Sequence, residues 1–398
     1  MKDFKSNTAR RDFLKMAALS SLPLVVPGTG LLKPKESYAQ DDDRSVNFVY
    51  DGTTDFLDPE RYIKKLLKVN ATANIQPDFY GLGGTTQRLE REFAKITGKE
   101  KAIYLPSGTM ANQLAIRLLN DGRTKAMVPE NSHIYRDEAD SAQAVHNMRL
   151  IALGKDKDYF DLKELKASIA YHKSGEYIDS GLGTVVIENP VRRANGAIVP
   201  LDELKAISKY CRNEGYRLHL DGARLHIASA YTGVDIAEYA ALFDTVYISL
   251  YKYLNAAGGA MLCGDASVID KVGSYIKILG GTAFQSWTNT AMALHYLNGI
   301  DDRWKEVVRS GNTLISELNK SDQVSLTKVK NGSNLYGLKL TNTDFAKLQR
   351  SLSSDYNMML AGPDGNRVIR FAINESLLHR DLDTIINAWE TCLKAAKA

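Results

Sequence analysis

The chain has 398 residues, 44% hydrophobic and 25% charged, with a formal net charge of +4. This is ordinary globular composition, enough for two domains or for one large and one small. No stretch after residue 40 is long and apolar enough to span a membrane, and from there on the charges balance at 44 of each sign, which argues against a nucleic-acid or acidic-surface partner.

All of the net charge sits at the start, where residues 1–39 hold seven Lys/Arg against three Asp/Glu. Arg10-Arg11-Asp12-Phe13-Leu14-Lys15 is a twin-arginine pattern. It precedes a weakly apolar segment, Met16 to Val26, and the small-residue cleavage signal Ser37-Tyr38-Ala39. We therefore expect residues 1–39 to be a twin-arginine signal peptide and the mature chain to be periplasmic or secreted, exported already folded. An uncleaved anchor or an N-terminal amphipathic helix is the competing reading. The three cysteines, Cys211, Cys263 and Cys392, are odd in number and widely spaced, which is neither a disulfide framework nor a zinc site.

Residues 40–46 read as a flexible mature N-terminus. Asp58-Pro59-Glu60 starts a helix that carries Ile63, Leu66 and Leu67 on one face. A Gly-rich loop, Tyr80 to Thr86, leads into a helix over 87–96, with Gly98 placed as its C-cap. Short β-rich runs then recur at 102–105, 125–128, 148–153, 184–188, 217–221, 245–250 and 259–263. Most are separated by helical periodicity, as in 110–119, 162–170 and 201–214. Seven strands alternating with helices predict an α/β fold with a seven-stranded, mostly parallel sheet covered on both faces. After Gly280-Gly281 the pattern changes to two helices, short strands near 323–329, 335–340, 358–360 and 367–372, a helix at 345–352 and a closing helix at 380–395. We expect a large domain over 40–290 and a smaller C-terminal α+β domain over 291–398.

Ligands of such sheets bind at the carboxyl ends of the strands. Ser107, His133, Asn189, Asp221 and Lys252 all fall there. An aspartate at one strand end, with a lysine about thirty residues on at the end of the next, is what pyridoxal 5′-phosphate (PLP) chemistry needs. The lysine forms a Schiff base with the aldehyde, and the carboxylate keeps the pyridine nitrogen protonated so that the ring accepts electrons. Ser107-Gly108-Thr109 precedes a helix, where free N–H groups, a hydroxyl and a glycine that allows close approach suit a phosphate; the same tripeptide also reads as an ordinary N-cap. His133 suits stacking on a planar cofactor and work as a base, or a helix cap. Arg224 and Arg370 have the planar fork that takes a carboxylate, although an arginine on an alternating strand such as 367–372 is commonly just exposed.

In combination, several segments resemble the threonine aldolase and aromatic amino acid β-eliminating lyase family of fold-type-I PLP enzymes. They are Gln87-Arg88-Leu89-Glu90, Pro106-Ser107-Gly108-Thr109-Met110-Ala111-Asn112-Gln113, His133-Ile134-Tyr135, Glu188-Asn189, Leu218-His219-Leu220-Asp221-Gly222-Ala223-Arg224, Lys252, Leu279-Gly280-Gly281 and Val368-Ile369-Arg370-Phe371. The likeness covers roughly residues 47–390. It implies the aspartate-aminotransferase fold, PLP as cofactor, and a homodimer or homotetramer. It also implies Lys252 as Schiff-base lysine, Asp221 as pyridine partner and His133 as stacking and catalytic residue. Ser107, Gly108 and Thr109 would hold the phosphate, with Arg224 beside the cofactor, and Arg224 and Arg370 would hold the substrate carboxylate. The implied reaction is retro-aldol cleavage of a β-hydroxy-α-amino acid to glycine and an aldehyde. β-Elimination or transamination of another amino acid, and a non-catalytic PLP-fold binding protein, are the alternatives. The chain departs from the family pattern at Val191, where a histidine is expected, at Tyr251 and Tyr253 around the lysine, and at Phe284, where an arginine reaches a neighbour's phosphate.

Overall fold

A computed structural model describes residues 44–53 and 57–398; the twin-arginine segment lies outside the described residues. Among those residues the strands are β1 (Val46–Asn47), β2 (Lys101–Leu105), β3 (Lys125–Pro129), β4 (Arg149–Leu153), β5 (Leu182–Glu188), β6 (Arg217–Asp221), β7 (Thr245–Ser249), β8 (Ala260–Gly264), β9 (Val324–Thr327), β10 (Leu335–Leu340), β11 (Met358–Met359) and β12 (Ile369–Ala372).

The seven predicted runs form one sheet in the order β2-β8-β7-β6-β5-β3-β4. Its interior strands are buried along nearly their whole length because helices cover both faces. Only β8 runs against its neighbours β2 and β7. The reason is the connection: β7 returns directly as β8 through residues 250–259, without the helical crossover that a parallel neighbour requires. That short return places Lys252 on the carboxyl edge of the sheet, where β3, β5 and β6 also end.

Local chemistry sets the helix boundaries. Asp58 caps the helix Pro59–Ala73 by accepting from the N–H groups of Glu60 and Arg61, with proline in the first turn. Asp161 and Glu164 form a capping box at the start of Leu162–Gly175. Gly98 ends Gly84–Thr97 in the left-handed region at φ 64°.

The second sheet is antiparallel, ordered β12-β10-β9. The helix Trp287–Leu297, in which the expected domain boundary at 290 falls, packs on Gly84–Thr97 and Pro59–Ala73. Its Thr290 hydroxyl lies 3.0 Å from that of Thr86.

Residues 44–46 are not the loose end that their polarity suggests. β1 pairs in parallel with β11, and the Ala372 N–H donates to the Phe48 carbonyl at 2.9 Å. Phe48 stacks on Phe371 with centroids 4.3 Å apart and meets the edge of Trp389. Burial of Val46 and Phe48 offsets the ordering cost, and their partners lie some three hundred residues away, beyond any local sequence window. Cys211, Cys263 and Cys392 are free and buried.

Candidate active site

Asp221 is the last residue of β6 and is buried. Its Oδ1 accepts the Ala223 N–H at 3.2 Å and its Oδ2 accepts Asn112 Nδ2 at 3.1 Å. Asn112 comes from the helix Gly108–Asn120 and is fully buried. The same Nδ2 donates to Glu138 Oε1 at 2.8 Å, while Asn112 Oδ1 lies 3.0 Å from His219 Nε2. Residues two apart on a strand share a face, so His219 and Asp221 both turn toward that helix. Burial pushes the His219 imidazole down to about 4.

His133 follows β3 and opens a short helix capped by Ser132. Its Nδ1 lies 2.9 Å from Glu138 Oε1, and this hydrogen bond raises its pKa above the ordinary histidine value. A carboxylate oxygen only accepts here, so Nδ1 carries the proton and Nε2 of the neutral ring is left as the basic atom. Nitrogen of His133 and oxygens of Glu138 and Asp221 all lie within 4.8 Å of one another. Glu188, at the end of β5, is also buried. It receives the backbone N–H groups of His133 at 2.6 Å and Arg192 at 2.8 Å. Burial, reinforced by Asp221, still pushes its carboxyl up to about 7.

Lys252 sits half-buried in the return between β7 and β8. Its Nζ lies 5.8 Å from the Tyr247 ring centroid and 5.5 Å from that of Tyr251, with no hydrogen bond or ion pair to the described residues. Desolvation first, and Arg224 second, lower it to about 8, so a useful fraction of the amine is neutral near pH 7. Gly52 lies against its backbone, where a Cβ would stand 2.6 Å from the Lys252 carbonyl oxygen.

Ser107 caps Gly108–Asn120, its Oγ accepting the Met110 N–H at 3.2 Å. The N–H groups of Gly108 and Thr109 precede the first intrahelical bond, from Ala111 N to Ser107 O. The requirement for glycine at 108 has a different cause from the expected close approach of a ligand. A Cβ there would lie 2.1 Å from the Tyr247 hydroxyl, so the glycine makes room for a buried tyrosine.

Arg224 and Arg370 are brought together by a residue that the sequence did not single out. Arg224 Nε donates to Asp51 Oδ2 at 2.8 Å, and Arg370 Nη2 lies 3.6 Å from Asp51 Oδ1. Burial would raise the Asp51 carboxyl, but the two guanidinium groups outweigh it and hold it below the usual range. Because Arg224 is engaged through Nε, its terminal Nη fork remains without a partner among the described residues, in a buried position. That fork fits a carboxylate.

The departures from the family pattern separate spatially. Val191 is fully buried and bridges to Ala197, and Arg192 and Arg193 share the Asp137 carboxylate. Tyr251 is exposed beside Lys252, whereas Tyr253 lies in the core against His226. Asn189 serves structure, its Oδ1 accepting the Val199 N–H at 2.9 Å.

An unpaired amine, a buried carboxylate, a histidine ring and uncommitted helix N–H groups on one sheet edge fit PLP. Lys252 would hold the aldehyde carbon, Asp221 the pyridine nitrogen, and Ser107, Gly108 and Thr109 the phosphate. The sequence profile of the β-eliminating lyase family matches residues 63–340, more than half of the chain. The chain belongs to that family. Over 220 residues it is 34% identical to a low-specificity L-threonine aldolase of Candida albicans, a stretch that spans 54% of this chain and only 57% of the yeast protein. Over 339 residues it is 28% identical to the enzyme of the same name from Eremothecium gossypii, covering 82% and 85%. A solved Exiguobacterium structure, provisionally named an aromatic amino acid β-eliminating lyase/threonine aldolase, superposes with TM-score 0.71 at 26% identity, covering 84% of this chain and 94% of that one.

Sequence reasoning passed over Asp51, Asn112, Glu138, Tyr247 and the role of His219. His219 had a usable signal, its strand period with Asp221. Glu138 had none, since its partners are set by how the helix Gly108–Asn120 lies across the sheet.

Proposed function

We propose that this chain is a PLP-dependent lyase that cleaves a threonine-like β-hydroxy-α-amino acid to glycine and an aldehyde. The observation that carries the reading is the pairing of the buried, doubly hydrogen-bonded Asp221 with an unpaired Lys252 of lowered pKa on one sheet edge. When bound, the cofactor supplies the sink for the electron pair released as the Cα–Cβ bond breaks. The Arg224 fork takes the substrate carboxylate, with Arg370 supplying a second positive charge across it. His133, fixed through Nδ1 by Glu138, presents Nε2 to the β-hydroxyl proton. Tyr251 lines the approach to Lys252 and helps to exclude water.

The burial of Val191 favours a second reading, β-elimination, because the side chain that would meet the hydroxyl is withdrawn into the core. Purified protein given threonine, allo-threonine and phenylserine separates the two. Glycine is expected; 2-oxobutanoate or phenylpyruvate with ammonia, and no glycine from any of the three, would overturn the aldolase reading.

Export through the twin-arginine route is supported by residues 10–39 and predicts a mature chain beginning near Gln40, readable by N-terminal sequencing of the exported protein. A homodimer or homotetramer is supported by the exposed Phe79, Tyr80, Leu82 and Phe284; the Phe79 and Tyr80 rings meet that of Phe284, and the Tyr80 N–H donates to the Phe284 carbonyl. A monomer by light scattering would refute it.

A further inference from the structure

Behind Asp221 runs a chain of buried polar groups that no step of the proposed reaction uses. Thr245 Oγ1 lies 2.9 Å from His219 Nδ1, His219 Nε2 lies 3.0 Å from Asn112 Oδ1, and Asn112 Nδ2 reaches Asp221 at 3.1 Å and Glu138 at 2.8 Å. Every heavy-atom distance is that of a made hydrogen bond, and Thr245, His219 and Asn112 are all fully buried. Only one proton arrangement satisfies the chain. Two carboxylates can only accept, so both Asn112 amide protons face them and its Oδ1 must accept. His219 therefore carries its proton on Nε2, and its bare Nδ1 takes the Thr245 hydroxyl proton. The reverse orientation of Asn112 would set its oxygen against two carboxylates.

We propose that Asn112 and His219 are positioning residues that hold the two cofactor-facing groups, Asp221 and the Glu138–His133 pair, in one fixed array. The inference rests on the PLP reading of the site. The chain runs in one direction and is neutral, so it aims the Asp221 carboxylate without adding a positive charge that would compete with a pyridinium. It also ties Asp221, the acid that would meet the ring nitrogen, to the carboxylate that orients His133, so one amide sets both contacts. Its low pKa keeps His219 in this neutral form across the working pH range.

The first test needs no turnover. In apoprotein labelled at histidine nitrogen, with His219 assigned by its loss in His219→Leu, we expect the Nε2–H tautomer, neutral from about pH 8 down to about pH 5.5. The second compares two ligands by titration, PLP itself and inorganic phosphate. Asn112→Leu and His219→Leu should weaken PLP about tenfold or more and leave inorganic phosphate within about twofold, since the helix N-terminus is untouched. Thr245→Val, nearly isosteric, should fold normally and weaken PLP about threefold. A protonated or Nδ1–H His219 at neutral pH, unchanged PLP affinity, or an equal loss for both ligands would overturn the proposal. Failure of the unaltered protein to bind PLP would instead sink the cofactor reading on which it stands.

Discussion

Asp221 is held by two neutral donors, one from the covering helix and one just past its own strand, whereas Arg224 and Arg370 are held by one carboxylate that arrives from the N-terminal segment. The first arrangement is closed: the buried side chains of Thr245, His219 and Asn112 each find a partner, and none needs to move for a planar ligand to settle on the edge. The second is open. Asp51 engages Arg224 by its side edge and leaves the fork free, and it meets Arg370 only as an ion pair without a hydrogen bond. A pre-aimed carboxylate suits a ligand that stays. A loosely tethered pair of arginines, one following β6 and one on β12, suits one that comes and goes.

The contrast predicts that variants in the first region act on cofactor and turnover, and those in the second on substrate affinity. The largest effect belongs to Lys252. Lys252→Ala should cut kcat by about a thousandfold or more and abolish the absorbance near about 420 nm that marks cofactor attached to lysine. Retained colour with retained activity would remove Lys252 from the mechanism. Next, Arg224→Gln should raise KM for the amino acid by about a hundredfold with kcat within about fivefold, through loss of a fork that binds carboxylate in two places. A fall in kcat at constant KM would dissolve the distinction between the regions. Asp51→Asn should raise KM less, about threefold to tenfold, because the amide oxygen still accepts from Arg224 Nε.

The acid limb of the kcat/KM profile tests His133. As a base it must be unprotonated, and its raised pKa places that limb above the ordinary histidine value of about 6.5. Glu138→Gln, which removes the cause of the shift, should move the limb to lower pH; a limb that stays in place would assign the titration elsewhere. The smallest effect is on stability. The folded pKa of Glu188 lies above its unfolded value near 4.5, so its contribution is full below about pH 4.5 and is lost as pH rises through about 7. Urea midpoints of the protein should therefore decline between pH 5 and pH 8 by more than those of Glu188→Gln, whose amide does not titrate.

Much of the scaffold was legible residue by residue. Leu218 and Leu220 mark the apolar face of β6, and Asp58-Pro59-Glu60 marks a helix start from capping chemistry alone. The strand-end rule then brought His133, Asp221 and Lys252 to one edge without any knowledge of distances. What escaped was whatever depends on a distant partner. Val46 looks like part of a polar tail until Met358 pairs with it. Gly108 reads as a glycine kept for a ligand alone, whereas Tyr247, on the strand beneath, needs its space as well. Arg224 and Arg370 read as two independent carboxylate binders until Asp51, 173 residues before Arg224, joins them.

By itself, then, the sequence determined the period of each element, the order of strands and helices, and the residue types at the strand ends, because those follow from neighbours one to four positions away. The tertiary structure decided which polar atoms meet. Asn112 and Asp221 are 109 residues apart, and whether the amide reaches the carboxylate depends on a helix lying across a sheet to within a fraction of an ångström. Hydrogen bonds weaken steeply outside that tolerance, and apolar patterning, which is non-directional, does not encode it.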